Sequence, residues 1–252
     1  MPFDLTDRVI LVTGAGRGLG RACAELLAAS GAAVGVADID AATCQDAASA
    51  IRARGGRALA LAGSVSDRRT FMDFAARLAR EHGHVDAIVN AAMWIQYDPI
   101  REVSEETFEH MLAVGLKAPV WSAQALLAHR APGRSAHLIY FSSPAADQGY
   151  PNTAIYAAVK GAVTTLTRTL AVELGREDVR VNAVTPGAVP TPGARAVVDD
   201  AGYELRRRKT PLGRLGREAD IANAVAFLLS PEADFVNGAV LHVDGGVSIT
   251  AG

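Results

Sequence analysis

The sequence predicts an α/β fold: a single domain built on a doubly wound, Rossmann-like parallel sheet of about seven strands, with helices on both faces. Three observations predict it. Short β-branched apolar runs alternate with segments of helical spacing, and the first run ends in a glycine-rich turn. No linker, repeat or low-complexity tract interrupts the 252 residues. We therefore expect one domain over residues 1–252.

The predicted strands are short apolar runs of the kind that a sheet buried on both faces requires. In chain order they are RVILVTG, AAVGVAD, ALALAG, DAIVNAA, HLIYFSS, VRVNAV and AVLHVDGG. The predicted helices are RGLGRACAELLAAS, AATCQDAASAIRAR, Asp67 to about His82, Ser104 to about His129, YAAVK to about Gly175, and about Glu218 to Leu229. Strands that alternate with helices in this way form βαβ units and a parallel sheet.

Composition narrows the classes of partner. Half of the residues are hydrophobic and the net charge is −2, which favours neither nucleic acid nor an anionic membrane surface. No uninterrupted apolar run is long enough to span a bilayer, and the N-terminus lacks a signal pattern, so we expect a cytoplasmic protein. Cys23 and Cys44 form no CxxC pair, which predicts neither a disulfide framework nor a metal site.

The glycine-rich turn TGAGRGLG, residues 13–20, follows the first strand and opens the first helix. Glycines at 14, 16, 18 and 20 let backbone approach a pyrophosphate, and the helix N-terminus offers free N–H groups. The position of this turn in a βαβ unit predicts a dinucleotide site.

The second strand ends at Asp38, where a carboxylate can accept hydrogen bonds from adenosine ribose and would repel a 2′-phosphate. Arg17, in the glycine turn, could instead reach a 2′-phosphate. We expect NAD, with NADP the less favoured cofactor. Asp40 is also a plausible N-cap for the following helix.

Tyr156 and Lys160 stand four residues apart in YAAVKGAV, on one face of a predicted buried helix. Alone, this spacing fits a core tyrosine and a snorkelling lysine equally well. A free phenol has a pKa of about 10. A fixed ammonium one turn away would lower that pKa toward neutrality.

Taken together, several motifs resemble the short-chain dehydrogenase/reductase family, from RVILVTG to HVDGG. They comprise Thr13, Gly14, Gly18, Gly20, SS at 142–143, Tyr156, Lys160 and PGAVPT at 186–191. The resemblance implies hydride transfer between NAD or NADP and a carbinol or carbonyl carbon. It implies that Tyr156 is the general acid/base and that Lys160 lowers its pKa and binds the nicotinamide ribose. The family serine lies thirteen residues before the tyrosine, which gives Ser143; Ser142 should point the opposite way.

The resemblance also places the cofactor and the substrate. The expected cofactor contacts are Gly14, Arg17, Gly18, Leu19, Gly20, Asp38, Ser64, Val65, Asn90, Tyr156, Lys160, Pro186, Gly187, Val189 and Thr191. The expected substrate pocket draws on Trp94, Tyr97, Pro144 and Tyr150 and on a variable loop at about 190–214. These side chains are mostly apolar or aromatic, which predicts a small, largely uncharged alcohol or ketone. Trp94 and Tyr97 could instead simply pack against the next helix. An apolar stripe left on the YAAVK helix, together with the family pattern, predicts a homo-oligomer, a tetramer.

The chain departs from the family pattern at four points, of which Ala91, in place of a second Asn, should affect stability more than chemistry. Gly115 stands where the family has a helical Asn that helps hold a water near the lysine, Met93 replaces a glycine, and Ser64 replaces an Asp. These departures keep open a dinucleotide-binding protein with little turnover. An epimerase or dehydratase would need a larger C-terminal sugar domain. If water replaces the amide, the helix should be distorted around 113–116, and Gly115→Asn should leave activity unchanged or raise it.

Overall fold

The structure, a computed structural model, describes residues 3–250 and confirms the predicted fold class. Over this range the strands are β1 Val9–Thr13, β2 Ala33–Asp38, β3 Arg57–Ala62, β4 Ala87–Asn90, β5 Ala136–Phe141, β6 Val179–Pro186 and β7 Val240–Val243. They form one sheet in the order β3-β2-β1-β4-β5-β6-β7, and every neighbouring pair is parallel. The order therefore reverses between β1 and β4, where a crevice opens at the carboxyl ends of the strands.

The helices over the same range cover both faces of the sheet. They are α1 Gly18–Ala29, α2 Ala41–Ala53, α3 Arg68–His82, α4 Glu105–Leu112, α5 Ala118–His129, α6 Ala154–Leu174, α7 Pro192–Arg195, α8 Asp200–Lys209 and α9 Glu218–Leu229. Alternate residues along each strand serve two cores. Ile10 and Val12 of β1 join the core beneath α1, α2 and α9, whereas Val9 and Leu11 join the core beneath α3, α5 and α6.

The helix predicted from Ser104 to His129 is broken rather than regular. A π-helical turn, Ala113–Lys117, joins α4 to α5. By length and composition the combined segment Glu105–His129 could cross a membrane, because an 18-residue window within it has a mean hydropathy of 1.3. The sequence analysis did not predict a segment of this kind. Half of that window is buried in the fold, and a core helix meets the same criterion.

The segment at 190–214, expected as a loop, contains α7 and α8. Only Tyr203 of α8 is buried, so the helix has no apolar stripe that sequence periodicity could reveal. Polar interactions support it instead: Asp199 accepts a hydrogen bond from the N–H of Gly202, and Glu204 pairs with two arginines one turn on.

Candidate active site

The carboxyl ends of β1, β4, β5 and β6 bring the predicted site residues to one crevice. At the cofactor end of this crevice, the glycine turn exposes main-chain atoms rather than side chains. Gly14 adopts a left-handed conformation (φ +64°), and a Cβ there would lie 2.8 Å from the backbone of Ala92. Gly18 (φ +57°) lies under Thr191, whose Cβ is 3.3 Å from the position of an added Cβ. The turn and the loop after β6 are thus in contact, and the N-terminus of α1 between them suits a pyrophosphate.

Asp38 lies at the end of β2 beside the glycine turn, as the sequence predicted. Its carboxylate accepts hydrogen bonds from the N–H of Gly16 (2.9 Å) and of Asp40 (3.2 Å). Asp40 caps α2 by accepting from the N–H groups of Ala42 and Thr43, so the two aspartates have separate roles. The side chain of Arg17 is exposed at the start of α1.

The other expected cofactor positions border the same crevice. Ser64 is engaged by a neighbour, since its hydroxyl lies 2.7 Å from that of Ser66. Val65 is buried, and Leu19 packs on the core beneath α1. Thr191 caps α7 through Ala194, and Gly187 leaves no room for a side chain against Asp244. Pro186 ends β6, and Val189 is buried beyond it.

Tyr156 and Lys160 occupy the first turns of α6, next to the end of β5. The ammonium of Lys160 donates to the carbonyl of Phe141 at 2.7 Å and lies 5.6 Å from the centre of the Tyr156 ring. Lys160 is only 5% exposed. A buried ammonium beside a phenol is therefore a feature of the folded chain.

The two adjacent serines point in opposite directions. The hydroxyl of Ser142 is buried against α6, 2.7 Å from the hydroxyl of Thr164. Ser143 accepts a hydrogen bond from the N–H of Ala145, and its hydroxyl interacts with the phenol of Tyr156. The structure thus places Ser143, and not Ser142, beside Tyr156.

Burial shifts the pKa values of both Tyr156 and Lys160. Burial raises the pKa of Tyr156, and the interaction with Ser143 opposes that rise. Burial also lowers the pKa of Lys160 to about 8. The expected lowering of the Tyr156 pKa by Lys160 is therefore not seen, because burial of the phenol raises its pKa.

The helix distortion predicted around 113–116 is present. In the π-helical turn the N–H of Ala118 donates to Ala113, five residues back, instead of to Val114. Pro119 has no N–H to offer Val114 or Gly115. The carbonyl of Val114 is therefore left without its usual helical donor.

A small cavity of about 10 Å³ lies beside this turn, close to the smallest volume that holds one water. Thr13, Asn90, Val114, Gly115 and Lys160 are among its lining residues. The amide nitrogen of Asn90 donates to the hydroxyl of Ser122 at 2.9 Å. The Asn90 side-chain oxygen is buried and has no partner among residues 3–250. Sequence reasoning expected Asn90 only as a cofactor contact and missed this acceptor.

Met93 occupies the space that the missing Asn side chain was expected to leave. A Cβ on Gly115 would lie 3.1 Å from the Met93 sulfur and 2.5 Å from Val159 Cγ1. Val159 is a stiff, buried β-branched residue. The two departures from the family pattern, Met93 and Gly115, are therefore neighbours. An Asn side chain at position 115 should therefore strain this packing, and the effect of Gly115→Asn on activity stays a prediction.

The four expected substrate-pocket residues have different neighbours in the structure. Trp94 stacks on His110 of α4, with ring centres 4.5 Å apart, so it packs against the next helix. Tyr97 meets Tyr156 edge-on, with ring centres 5.6 Å apart. Pro144 is buried after Ser143, and the half-exposed Tyr150 donates to Gln148.

Among residues 3–250, no group of three or more His, Cys, Asp or Glu side chains could hold a metal ion. Ser143, Tyr156 and Lys160 lie together in this crevice, at the ends of β5 and α6.

Comparison with known proteins agrees with this geometry. The family model described as "Enoyl-(Acyl carrier protein) reductase" matches residues 14–248. The cis-4-hydroxycyclohexanecarboxylate dehydrogenase of Sinomonas cyclohexanicum is 36% identical over 95% of this chain and 96% of its own length. A short-chain dehydrogenase of Burkholderia cenocepacia in complex with NADP has a TM-score of 0.91 at 31% identity, covering 96% and 98% of the two chains. The 3-ketoacyl-(acyl-carrier-protein) reductase of Brucella melitensis, complexed with NADH, has a TM-score of 0.90 at 33% identity, covering 97% and 100%. The chain belongs to the short-chain dehydrogenase/reductase family and is an oxidoreductase of the nicotinamide-dependent kind.

Proposed function

We propose that this protein transfers a hydride between NAD(H) and a secondary alcohol or ketone. One observation supports this above the others: Ser143 interacts with the phenol of Tyr156, and the buried ammonium of Lys160 lies close to the Tyr156 ring. A chain that only bound nucleotide would have no need of this arrangement.

Each of the three residues has a distinct role. Ser143 accepts a hydrogen bond from the N–H of Ala145, and its O–H, which interacts with Tyr156, would donate to the substrate oxygen once that oxygen lies beside both hydroxyls. Tyr156 takes the proton from that oxygen during oxidation and returns it during reduction. Lys160 stabilises the phenolate form and binds the nicotinamide ribose. The nicotinamide, when bound, accepts or supplies the hydride.

The proton that reaches Tyr156 must leave a buried site. We place a water in the cavity between Lys160 and the π-helical turn, held by the Val114 carbonyl and the Asn90 side-chain oxygen. A buried water needs two to four polar partners, and this cavity supplies them without the family Asn. This water replaces the amide as the link from Lys160 toward solvent.

NAD is the proposed cofactor, with NADP less favoured, because of Asp38. Its carboxylate is held in place by two backbone N–H groups beside the glycine turn, where adenosine ribose would lie. The bound NADP and NADH of the two solved relatives show that this fold accepts either dinucleotide. The charge of Asp38 decides between them in this chain.

The substrate is proposed to be a small alcohol or ketone that enters beside Tyr97 and is covered by the segment 190–214. The dehydrogenase of Sinomonas, named for a hydroxycyclohexanecarboxylate substrate, supports a compact ring of this kind.

We also propose a cytoplasmic homotetramer. Apolar side chains stay exposed on the helices, namely Phe108, Val120, Leu127 and Val172. Covering them against copies of the same chain would remove this surface from water.

The test is NADH formation from NAD with a panel of cyclic and linear secondary alcohols, with NADP in parallel. We expect turnover of at least one alcohol, faster with NAD than with NADP. Tyr156→Phe should remove it while the variant still binds NADH. Nucleotide binding without turnover of any alcohol or ketone would overturn the proposal in favour of a binding protein.

A further inference from the structure

Four of the chain's five tyrosines lie on the substrate side of the crevice. We define the tyrosine cluster as Tyr97, Tyr150, Tyr156 and Tyr203. Tyr97 contacts Tyr156 directly and is close enough to Tyr203 for their ionisations to interact. Burial raises the pKa of Tyr97, Tyr150 and Tyr203, and the charge of Arg206 opposes the rise at all three. Arg206 is thus a cation close to three members of this cluster, Tyr97, Tyr150 and Tyr203.

Arg206 differs from the other arginines of the covering segment in its partners. Its guanidinium contacts the backbone carbonyl of Gly202, at 3.3 Å, and makes no ion pair among residues 3–250. Its neighbours are neutralised within 3.0 Å: Arg195 by Asp200, and Arg207 and Arg208 both by Glu204. The positive charge of Arg206 is therefore free to bind a ligand.

The local structure of α8 brings Arg206 and the hydroxyl of Tyr203 to one face of the helix. A Cβ on Gly202 would lie 3.1 Å from the guanidinium, so glycine lets Arg206 rest on the helix backbone without a shift. Tyr203, one turn before Arg206, is 5% exposed, and its hydroxyl has no partner in the described part of the chain. A phenol without a partner and a free guanidinium on one face of α8 form a donor pair for an anion.

Two acidic groups lie in this region, Asp199 and Asp244, and neither forms an ion pair with Arg206 among residues 3–250. A carboxylate oxygen of Asp199 lies beside Gly202, as the guanidinium does, and accepts the N–H of Gly202 at 2.8 Å. The negative charge of Asp244 acts on Tyr150. Its carboxylate oxygens already accept hydrogen bonds from the N–H groups of Gly246 and Ser248, each at 2.9 Å.

We infer that Arg206, with the Tyr203 hydroxyl, binds a carboxylate of the substrate, so that the natural substrate is a hydroxy acid or keto acid. The inference rests on the proposed function, in which the substrate hydroxyl lies at Tyr156. A guanidinium matches a carboxylate with two parallel hydrogen bonds, which adds orientation to attraction. The expectation of a largely uncharged substrate then holds for the body of the molecule but not for its far end.

Binding tests this without turnover. The protein–NADH complex is titrated calorimetrically with benzoate and cyclohexanecarboxylate, each against its primary amide. We expect each acid to bind at least about tenfold more tightly than its amide. Arg206→Met should abolish that preference. Arg208→Met, which removes an equal charge from the same helix at a residue paired with Glu204, should keep it. Equal affinities in the wild type, no binding of either acid, or equal loss in both variants would overturn the inference.

Turnover separates this inference from the proposed function. Matched hydroxy acids and hydroxy amides are assayed with NAD, and kcat/KM should favour the acids in the wild type but not in Arg206→Met. Arg206→Lys should recover part of the preference. Turnover of neutral alcohols with no preference for acids would overturn the inference and leave the dehydrogenase intact. A preference for acids in binding, without turnover of any alcohol, would overturn the dehydrogenase alone.

Discussion

The two ends of the crevice differ in whether backbone or side chains form their surface. At the ends of β1 and β2 the surface is backbone: the glycine turn, the N-terminus of α1 and the N–H groups that hold Asp38. At the ends of β4 and β5 it is side chains drawn from distant segments, such as Met93 packed over Gly115. The first end presents general features of a nucleotide site, and the second is particular to this chain.

This contrast indicates which end of the crevice controls cofactor affinity and which controls turnover. A backbone surface binds a common ligand with little dependence on the other side chains, whereas a side-chain surface sets the rate and the choice of substrate. Changes at the first end should therefore alter cofactor affinity, and changes at the second should alter turnover. Lys160, which lies between them, should affect both.

The largest expected effect is on turnover alone. Tyr156→Phe removes only the proton-transfer hydroxyl, so kcat should fall by roughly 10²–10⁴-fold. The dissociation constant of NADH, measured by fluorescence titration, should stay within about threefold. Lys160→Ala should damage both quantities, because it loses the ribose contact as well. A Tyr156→Phe variant with near-normal kcat would show that the residue assignment is wrong.

The adjacent serines provide a matched pair within the side-chain end. Ser143→Ala should lower kcat by roughly 100-fold, because it removes the hydroxyl beside Tyr156. Ser142→Ala should leave kcat unchanged but destabilise the fold by about 1–3 kcal/mol, since the buried hydroxyl of Thr164 loses its partner. Steady-state kinetics and urea unfolding measure the two effects. Equal losses of kcat in both variants would contradict the distinction.

Asp38→Asn tests the backbone end. The amide keeps an oxygen to accept from the Gly16 N–H but removes the charge. Two charges about 5 Å apart near a surface interact by roughly 3 kcal/mol. The preference for NADH over NADPH should therefore narrow by about 10- to 100-fold in dissociation constants, with kcat on NAD little changed. A wild type that binds NADPH more tightly would give the deciding role to Arg17.

Gly115→Asn tests the packing between Met93 and Gly115. The added side chain must displace Val159 and Met93, which should cost about 1–3 kcal/mol in the free energy of unfolding. Met93→Gly in the same chain should recover part of that loss by removing one of the two neighbours. Additive losses in the double variant, measured by urea unfolding, would show that the two positions are independent.

Sequence reasoning was strongest where structure is local. Apolar runs that alternate with helices predict the sheet, and a side chain three residues ahead of a backbone N–H identifies Asp40 as a cap. The alternation of side chains along a strand separates Ser143 from Ser142, and the resemblance to the family selects Ser143. The distortion at Gly115 also followed from local propensity, since glycine weakens a helix.

What the sequence could not predict depends on contacts between distant segments. The Met93 side chain fills the space beside Gly115, and Trp94 stacks on His110 rather than lining the pocket. The Ser64 hydroxyl bonds Ser66, and burial raises the pKa of Tyr156. Each outcome requires coordinates, because side-chain direction and desolvation are set by tertiary packing.

The central claim is that this chain turns over an alcohol with Gly115 and Met93 in place of the usual Asn and Gly. The most direct measurement compares kcat of the wild type with that of the double variant Met93→Gly/Gly115→Asn, on the same alcohol with saturating NAD. Because the Val114 carbonyl and Asn90 can hold the linking water in both, we predict NADH formation by the wild type and a change in kcat below about tenfold. A wild type that binds NADH but forms none, beside a double variant that does, would contradict the claim.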